Sequence, residues 1–344
     1  MATMGKYTEI SSIQRFDIQR RVVAHKTTEA WQTVPHVGGQ YEPDVTNFLD
    51  VFEKYKKIRL SHDPNAPKLT LNMVLLKVLS EGFKVAPELN AFIEYSPSSK
   101  TGKLQLCDKI NIACPFLLPD GRMITPVIQN VGNKNLEEIA AYNADLIRRL
   151  QNTNVDELLF EISMRETLHD LKHGKLSVLA RAIKGLFGKD KVTHLTGEEK
   201  EKYYKISPEE RLIPEDILSS TTLVSNIGAA YHNFRGNLTL IDLIAPQVCV
   251  IGVSTLQRRV TVYEDENGNE TSGIRSILPM LFTFDHRGLD FGHVIPFLKK
   301  IDEILEDPHV FFNTQFQAAF GTVYEKAYQQ IETSASSISS LASD

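Results

Sequence analysis

The chain has 344 residues, of which 42% are hydrophobic and 24% charged, an ordinary globular composition that suffices for one large domain or two medium ones. A formal net charge of -5 gives no basic footprint for nucleic acid. No apolar run approaches the ~20 residues of a membrane span, and the N-terminus MATMGKYTEISSIQRF lacks the apolar core of a secretory signal. Cys107, Cys114 and Cys249 are odd in number and widely spaced, with no CxxC pair. That usage predicts a reducing, cytoplasmic setting and no cysteine zinc site.

In chain order, the spacing of Ile18, Val22, Val23 and Ala30 predicts a helix over 16–31. Residues 33–45 read as extended, with a strand starting at Val34-Pro35-His36-Val37 and Asp44 leading into the next helix. The amphipathic stretch 48–59 ends in Lys54, Lys56, Lys57 and Arg59, which suits a helix C-terminus. Over 70–85 the run Met73, Val74, Leu75, Leu76, Val78 and Leu79 predicts a helix buried on most sides. Strands are expected over 91–95, 109–116 and 123–128, bounded by Ser96-Pro97 and the turn Pro119-Asp120-Gly121-Arg122. Residues 136–151 return to helical spacing.

Residues 152–214 differ in character, with helices expected over 156–173 and 176–187 and a charged, loop-rich stretch over 189–210. Strands then follow over 221–227, 247–255, 258–263 and 278–285, a helix over 291–305, and a last strand or loop before a helix near 322–331. Mixed strands and helices without a regular βαβ rhythm predict an α/β sandwich with a mixed sheet. The expected organisation is an N-terminal extension (1–13), one domain over 14–332 with 152–214 as a helical insertion or lid, and a flexible tail over 333–344.

The segment Phe284-Asp285-His286-Arg287-Gly288-Leu289-Asp290 leads from an apolar strand through a tight turn into the helix at Phe291. Taken alone, Asp290 also reads as an N-cap and His286 as a hydrogen-bonded histidine at a strand end. The segment resembles the Asp-His-Arg-x-x-Asp-Gly signature of the acyltransferase component of 2-oxoacid dehydrogenase complexes. Collinear segments extend the resemblance. They are Arg20-Arg21-Val22-Val23-Ala24 with Gln32-Thr33-Val34-Pro35-His36, Asp44-Val45-Thr46, Ala86-Pro87-Glu88-Leu89-Asn90-Ala91, the hairpin from Pro119 to Ile128, Val224-Ser225-Asn226-Ile227-Gly228, and Ala245-Pro246-Gln247 through Val253. Together they span about 14–151 and 218–308.

The resemblance implies a chloramphenicol acetyltransferase-like sandwich, its mixed sheet covered by helices, and a coenzyme A-dependent acyltransferase. It implies His286 as general base in a direct attack without an acyl-enzyme, and the Ser225 hydroxyl as oxyanion donor. It also implies Asp290 as a scaffold residue paired with Arg20, or alternatively Arg21. It further implies a homotrimer with active sites between subunits, and an acyl acceptor that is a thiol, amine or hydroxyl. No bound metal is expected and no covalent lipoyl group on this chain, so a lipoyl-type acceptor would act in trans.

Two features depart from the family. Phe291 stands where its glycine follows the motif aspartate, and 152–214 is longer than its usual connection. In that stretch His169 and His173 share a helix face with no third ligand evident. Leu176 to Phe187 is amphipathic and basic, fitting a lid, a carrier-protein contact or a membrane surface. The competing reading is a noncatalytic trimeric scaffold that keeps the fold.

Overall fold

The computed structural model describes residues 10–172, 193–265 and 267–322. They form two units, one made of Glu29–Arg148 and the chain from Glu215 onward, the other of the chain up to Thr28 and Arg149–Pro214.

The larger unit is built on a six-stranded mixed sheet in the order β1-β12-β9-β8-β4-β7. Its strands are β1 (His36–Tyr41), β4 (Ile112–Ala113), β7 (Val127–Ile128), β8 (Thr222–Asn226), β9 (Cys249–Val253) and β12 (Met280–Asp285). The β8–β9 and β4–β8 pairs are parallel and the rest antiparallel, which matches the expected mixed sheet. β12 is buried along its whole length, as a central strand covered on both faces should be. On one face Phe282 meets Phe297 edge-on at 5.3 Å, and Phe297 meets Phe83 at 5.0 Å. Val34, Leu243 and Val250 form a second buried cluster.

The helices follow from their caps and apolar faces. Thr70 accepts the Met73 N–H at the start of α3 (Leu71–Val85), where ten residues are buried. Asp44 accepts the Thr46 N–H at 2.9 Å at the start of α2 (Thr46–His62). Three paired ribbons complete this unit: β2 (Ala91–Ser96) with β3 (Thr101–Leu106), β5 (Phe116–Leu117) with β6 (Met123–Ile124), and β10 (Gln257–Glu264) with β11 (Glu270–Ile277).

In the smaller unit, Glu157 is fully buried near the start of α5 (Val155–Lys172), where it accepts the Leu195 N–H at 2.7 Å and the Tyr204 hydroxyl at 3.0 Å. The Arg211 guanidinium stacks over Tyr203 and Tyr204 at 4.8 and 5.1 Å.

Several expected elements differ. The stretch 109–116 contains two short strands, because Pro115 has no N–H for a ladder. The charged segment expected as loop contains a helix over Gly197–Tyr204. Where a strand or loop is expected after 305, a helix runs over Pro308–Phe320 and is capped by Gly321, whose φ of 69° glycine adopts readily. Residues 176–187, His173 and 323–344 lie outside the described residues.

Candidate active site

The turn that follows β12 is fastened from several directions. The His286 N–H donates to the Pro35 carbonyl at 3.1 Å, and Gly288 and Leu289 N–H both return to the Asp285 carbonyl. Beneath them Asp285 is fully buried and accepts from the Arg287 side chain through both oxygens, at 3.0 Å (Nε to Oδ1) and 2.5 Å (Nη2 to Oδ2). A Cβ on Gly288 would sit 2.9 Å from Leu104 Cδ2 and 3.1 Å from Ile93 Cδ1. A larger residue there would have to displace Leu104 of the β2–β3 ribbon from its place against the turn.

The His286 ring is exposed, and its Nδ1 lies 2.7 Å from the Leu289 carbonyl. A carbonyl only accepts, so that contact places the proton of a neutral imidazole on Nδ1 and leaves the Nε2 lone pair outward. Leu289 is itself buried, so its carbonyl is a fixed point.

Asp290 is the N-cap of the helix Phe291–Glu306. Its Oδ1 accepts the Gly292 N–H at 2.8 Å and lies 3.0 Å from His293 Nδ1. The Gly292 N–H bond, with His293 beside it, holds the Asp290 carboxyl below the ordinary aspartate range. Phe291 needs no glycine-like backbone: it begins the helix and is not among the positive-φ residues. Its ring packs edge-on against Phe284 at 5.4 Å, over Gly39, where a Cβ would stand 3.3 Å from Phe291 Cε1.

Ser225 lies on β8, and its hydroxyl makes no hydrogen bond among the described residues. Asn226 beside it caps a short helix, accepting the Ala229 N–H at 3.1 Å and donating to Asn72 at 2.9 Å. Register fixes where Ser225 stands relative to His286. Ser225 pairs with Gly252 on β9, and Gly252 pairs with Leu281 on β12. His286 is five residues further along that strand. With ~3.3 Å per residue and ~4.8 Å per strand, the two Cα atoms are roughly 19 Å apart, at opposite ends of the sheet. Within one chain the two side chains cannot reach a common carbonyl.

The family model for the 2-oxoacid dehydrogenases acyltransferase catalytic domain matches residues 9–158 and 194–313. The chain belongs to this family. A relative from Mycobacterium bovis, the dihydrolipoyllysine-residue acetyltransferase component of the pyruvate dehydrogenase complex, is 21% identical over 288 residues. That match covers 84% of this chain but 40% of the relative, so the chain spans less than half of that protein's length. The cubic core of a pyruvate dehydrogenase multienzyme complex shares the fold, with a TM-score of 0.57 at 21% identity over 89% of this chain and 95% of the other. An Azotobacter vinelandii dihydrolipoamide acetyltransferase, investigated for the roles of a serine, a histidine and an asparagine in catalysis, gives a TM-score of 0.56 at 21% identity over the same shares.

For this acyltransferase-family chain, His286 and Asp290 thus share one turn, while Ser225 occupies the other end of the sheet. Arg20 and Arg21 lie on the helix Ile18–Thr33, in the smaller unit, where the Arg20 N–H donates to Asp17 at 2.7 Å and Arg21 Nε to the Phe16 carbonyl at 3.0 Å. Sequence reasoning missed the Asp285–Arg287 pair and the Leu289 carbonyl. A carboxylate ending the apolar run Phe282-Thr283-Phe284, two places before an arginine, was the signal for the first.

Proposed function

We propose that this chain is a coenzyme A-dependent acyltransferase whose active sites form between copies of the chain in a homotrimer. The observation that carries the reading is the Nδ1 contact of His286 with the Leu289 carbonyl, which leaves an exposed Nε2 lone pair able to take a proton. The separation of Ser225 from His286 supports sites shared between chains, since a second copy can present its Ser225 to the first copy's His286. In the Azotobacter relative the investigated histidine and asparagine stand four positions apart, as His286 and Asp290 do here.

In this reading coenzyme A supplies the acyl group as a thioester. His286 Nε2 takes the proton of the attacking thiol, amine or hydroxyl as that group bonds to the carbonyl carbon. The Ser225 hydroxyl donates to the carbonyl oxygen as it gains negative charge, a contribution of ~3 kcal/mol for one such donor. The imidazolium then returns its proton to the departing thiolate, so the histidine ends as it began. Asp290 holds the helix that follows the turn as its N-cap. A lipoyl-type thiol presented in trans fits as acceptor, as do smaller amines and alcohols.

The test is thiol release from acyl-CoA donors against a panel of acceptors. His286→Ala is expected to lose roughly 10²–10⁴ in rate and Ser225→Ala roughly 10²–10³. Unchanged turnover in His286→Ala would refute the base assignment, and no turnover with any acceptor would favour the noncatalytic scaffold.

A further inference from the structure

The Pro35 carbonyl accepts the His286 N–H at 3.1 Å, so the turn after β12 depends on how that carbonyl is held. Proline fixes its own φ and has no N–H to bond. What remains free is ψ of Pro35, the rotation between the Val34–Pro35 peptide and the peptide whose carbonyl His286 uses. The His36 side chain closes that freedom. Its Nδ1 reaches back across Pro35 to lie 2.8 Å from the Val34 carbonyl. Val34 is itself fixed, buried at the end of the helix Ile18–Thr33 with its N–H on the Ala30 carbonyl at 2.8 Å.

The other ring nitrogen faces a donor. The Leu243 N–H donates to His36 Nε2 at 2.9 Å, and Leu243 is buried with Val34 and Val250. A carbonyl only accepts and an N–H only donates, so the two contacts admit one form of the ring, neutral with its proton on Nδ1. Trp31 stacks on the ring at 5.1 Å, and its indole N–H donates to Asp242 at 2.7 Å, one residue before Leu243. The loop over 238–243 is thereby pinned to the start of β1. At its other end the Leu238 N–H donates to Ser254 at 2.9 Å. There Leu238 and Ile241 lie over Gly252, the register mate of Ser225.

A proton on Nε2 would set one donor against another at Leu243. Three charged or titratable groups stand around the ring besides. Asp285, its Cα partner on β12, is committed to Arg287, and the His286 ring is engaged with the Leu289 carbonyl. Asp242 in the loop is the carboxylate to which an imidazolium would turn, and turning means releasing Leu243.

We propose, on the acyltransferase reading above, that His36 is a positioning residue for His286 and holds Pro35 and the turn only while its ring is neutral. It touches no reacting atom and acts through the Pro35 carbonyl.

The test is thiol release from acyl-CoA by the full chain, with an acceptor that supports turnover, between about pH 5 and 9. Wild type is compared with His36→Leu and with His36→Gln, which keeps an acceptor for Leu243 and cannot be protonated. At about pH 8 His36→Leu should lose roughly 10- to 100-fold in kcat with little change in KM, as a misplaced catalytic group does, and His36→Gln should recover most of that loss. The wild-type acid limb should steepen from one proton to two, whereas His36→Gln should keep a one-proton slope. Trp31 is the chain's one tryptophan, and an imidazolium quenches a stacked indole. Its emission should fall where the wild-type limb steepens and stay level in His36→Gln. Hydrogen exchange of the peptide bearing the His286 N–H reads the positioning without turnover, and should be at least tenfold faster in His36→Leu. No turnover of wild type with any acceptor would remove the acyltransferase reading and leave exchange to decide the positioning. Wild-type kcat and exchange in His36→Leu would overturn the proposal. So would a one-proton limb in wild type or a two-proton limb in His36→Gln, a result that stands even where His36→Leu does not fold.

Discussion

His286 is positioned by main-chain groups on either side of it, and the most deeply held side chain nearby is its neighbour Asp285. Asp285 is fully buried and Arg287 is 18% exposed, so their ion pair is screened little by solvent. Removing one member of a buried pair typically costs ~3–5 kcal/mol, because the other is left uncompensated. Asp285→Ala is expected to lower the unfolding free energy in urea by about that amount. A variant as stable as wild type would mean that Arg287 swings into water at little cost. The cysteines set a second expectation at this scale. Burial pushes the Cys114 and Cys249 thiols up to about 12, whereas Cys107 is only partly buried and its thiol is raised less. At pH 8 the native chain should therefore show Cys107 reacting first with a thiol reagent, and Cys114 and Cys249 only after denaturation. Fast reaction of three thiols in the native state would contradict the buried placement of β9 and of the segment after β4.

The helix Phe291–Glu306 is the element that ties the turn to the core. Its N-terminus bears the Asp290 carboxylate where the helix dipole favours negative charge. Because the folded pKa of Asp290 is depressed, its contribution to stability is fully present above the unfolded value and is lost as pH falls through the folded one. Asp290→Asn keeps an acceptor but not the charge. Its melting temperature should trail wild type at neutral pH, and the gap should close below roughly pH 4. A gap independent of pH would assign the effect to shape instead of charge. Further along, the helix packs on α3 at Gly82, where a Cβ would meet Phe297 Cδ2 and Cε2 at 2.8 Å and Ile301 Cδ1 at 3.2 Å. Alanine gains ~1 kcal/mol over glycine in a helix, but overpacking a core costs ~1–3 kcal/mol. Phe297 is fully buried with nowhere to move, so the clash should win and Gly82→Ala should melt lower.

The same elements show what a sequence can disclose. α3 and β12 are legible because apolar residues dominate them at the right period. β3 and β11 are not, since TGKLQL and ETSGIRSI are polar ribbons that owe their strand conformation to a partner. For the site, resemblance singles out His286, Asp290 and Ser225, while the ring's Nδ1 contact depends on the path of the turn.

At the scale of the whole molecule, the distance between Ser225 and His286 is the least legible feature, because it follows from register across three strands. It also yields the sharpest test of the proposed assembly. If each active site takes His286 from one chain and Ser225 from another, the His286→Ala and Ser225→Ala variants are each nearly inactive alone. A trimer containing both variants can still bring an intact His286 from one chain to an intact Ser225 from another. In a cyclic trimer that contains both variants, one interface of the three pairs an intact His286 with an intact Ser225, so about a third of wild-type activity should return in the mixed trimers. Sites within single chains predict none, since no chain in the mixture carries both groups. Co-expressed, differently tagged variants purified through both tags provide the measurement. Activity no higher than that of the separate variants, in a sample shown to contain both, would rule out the shared site.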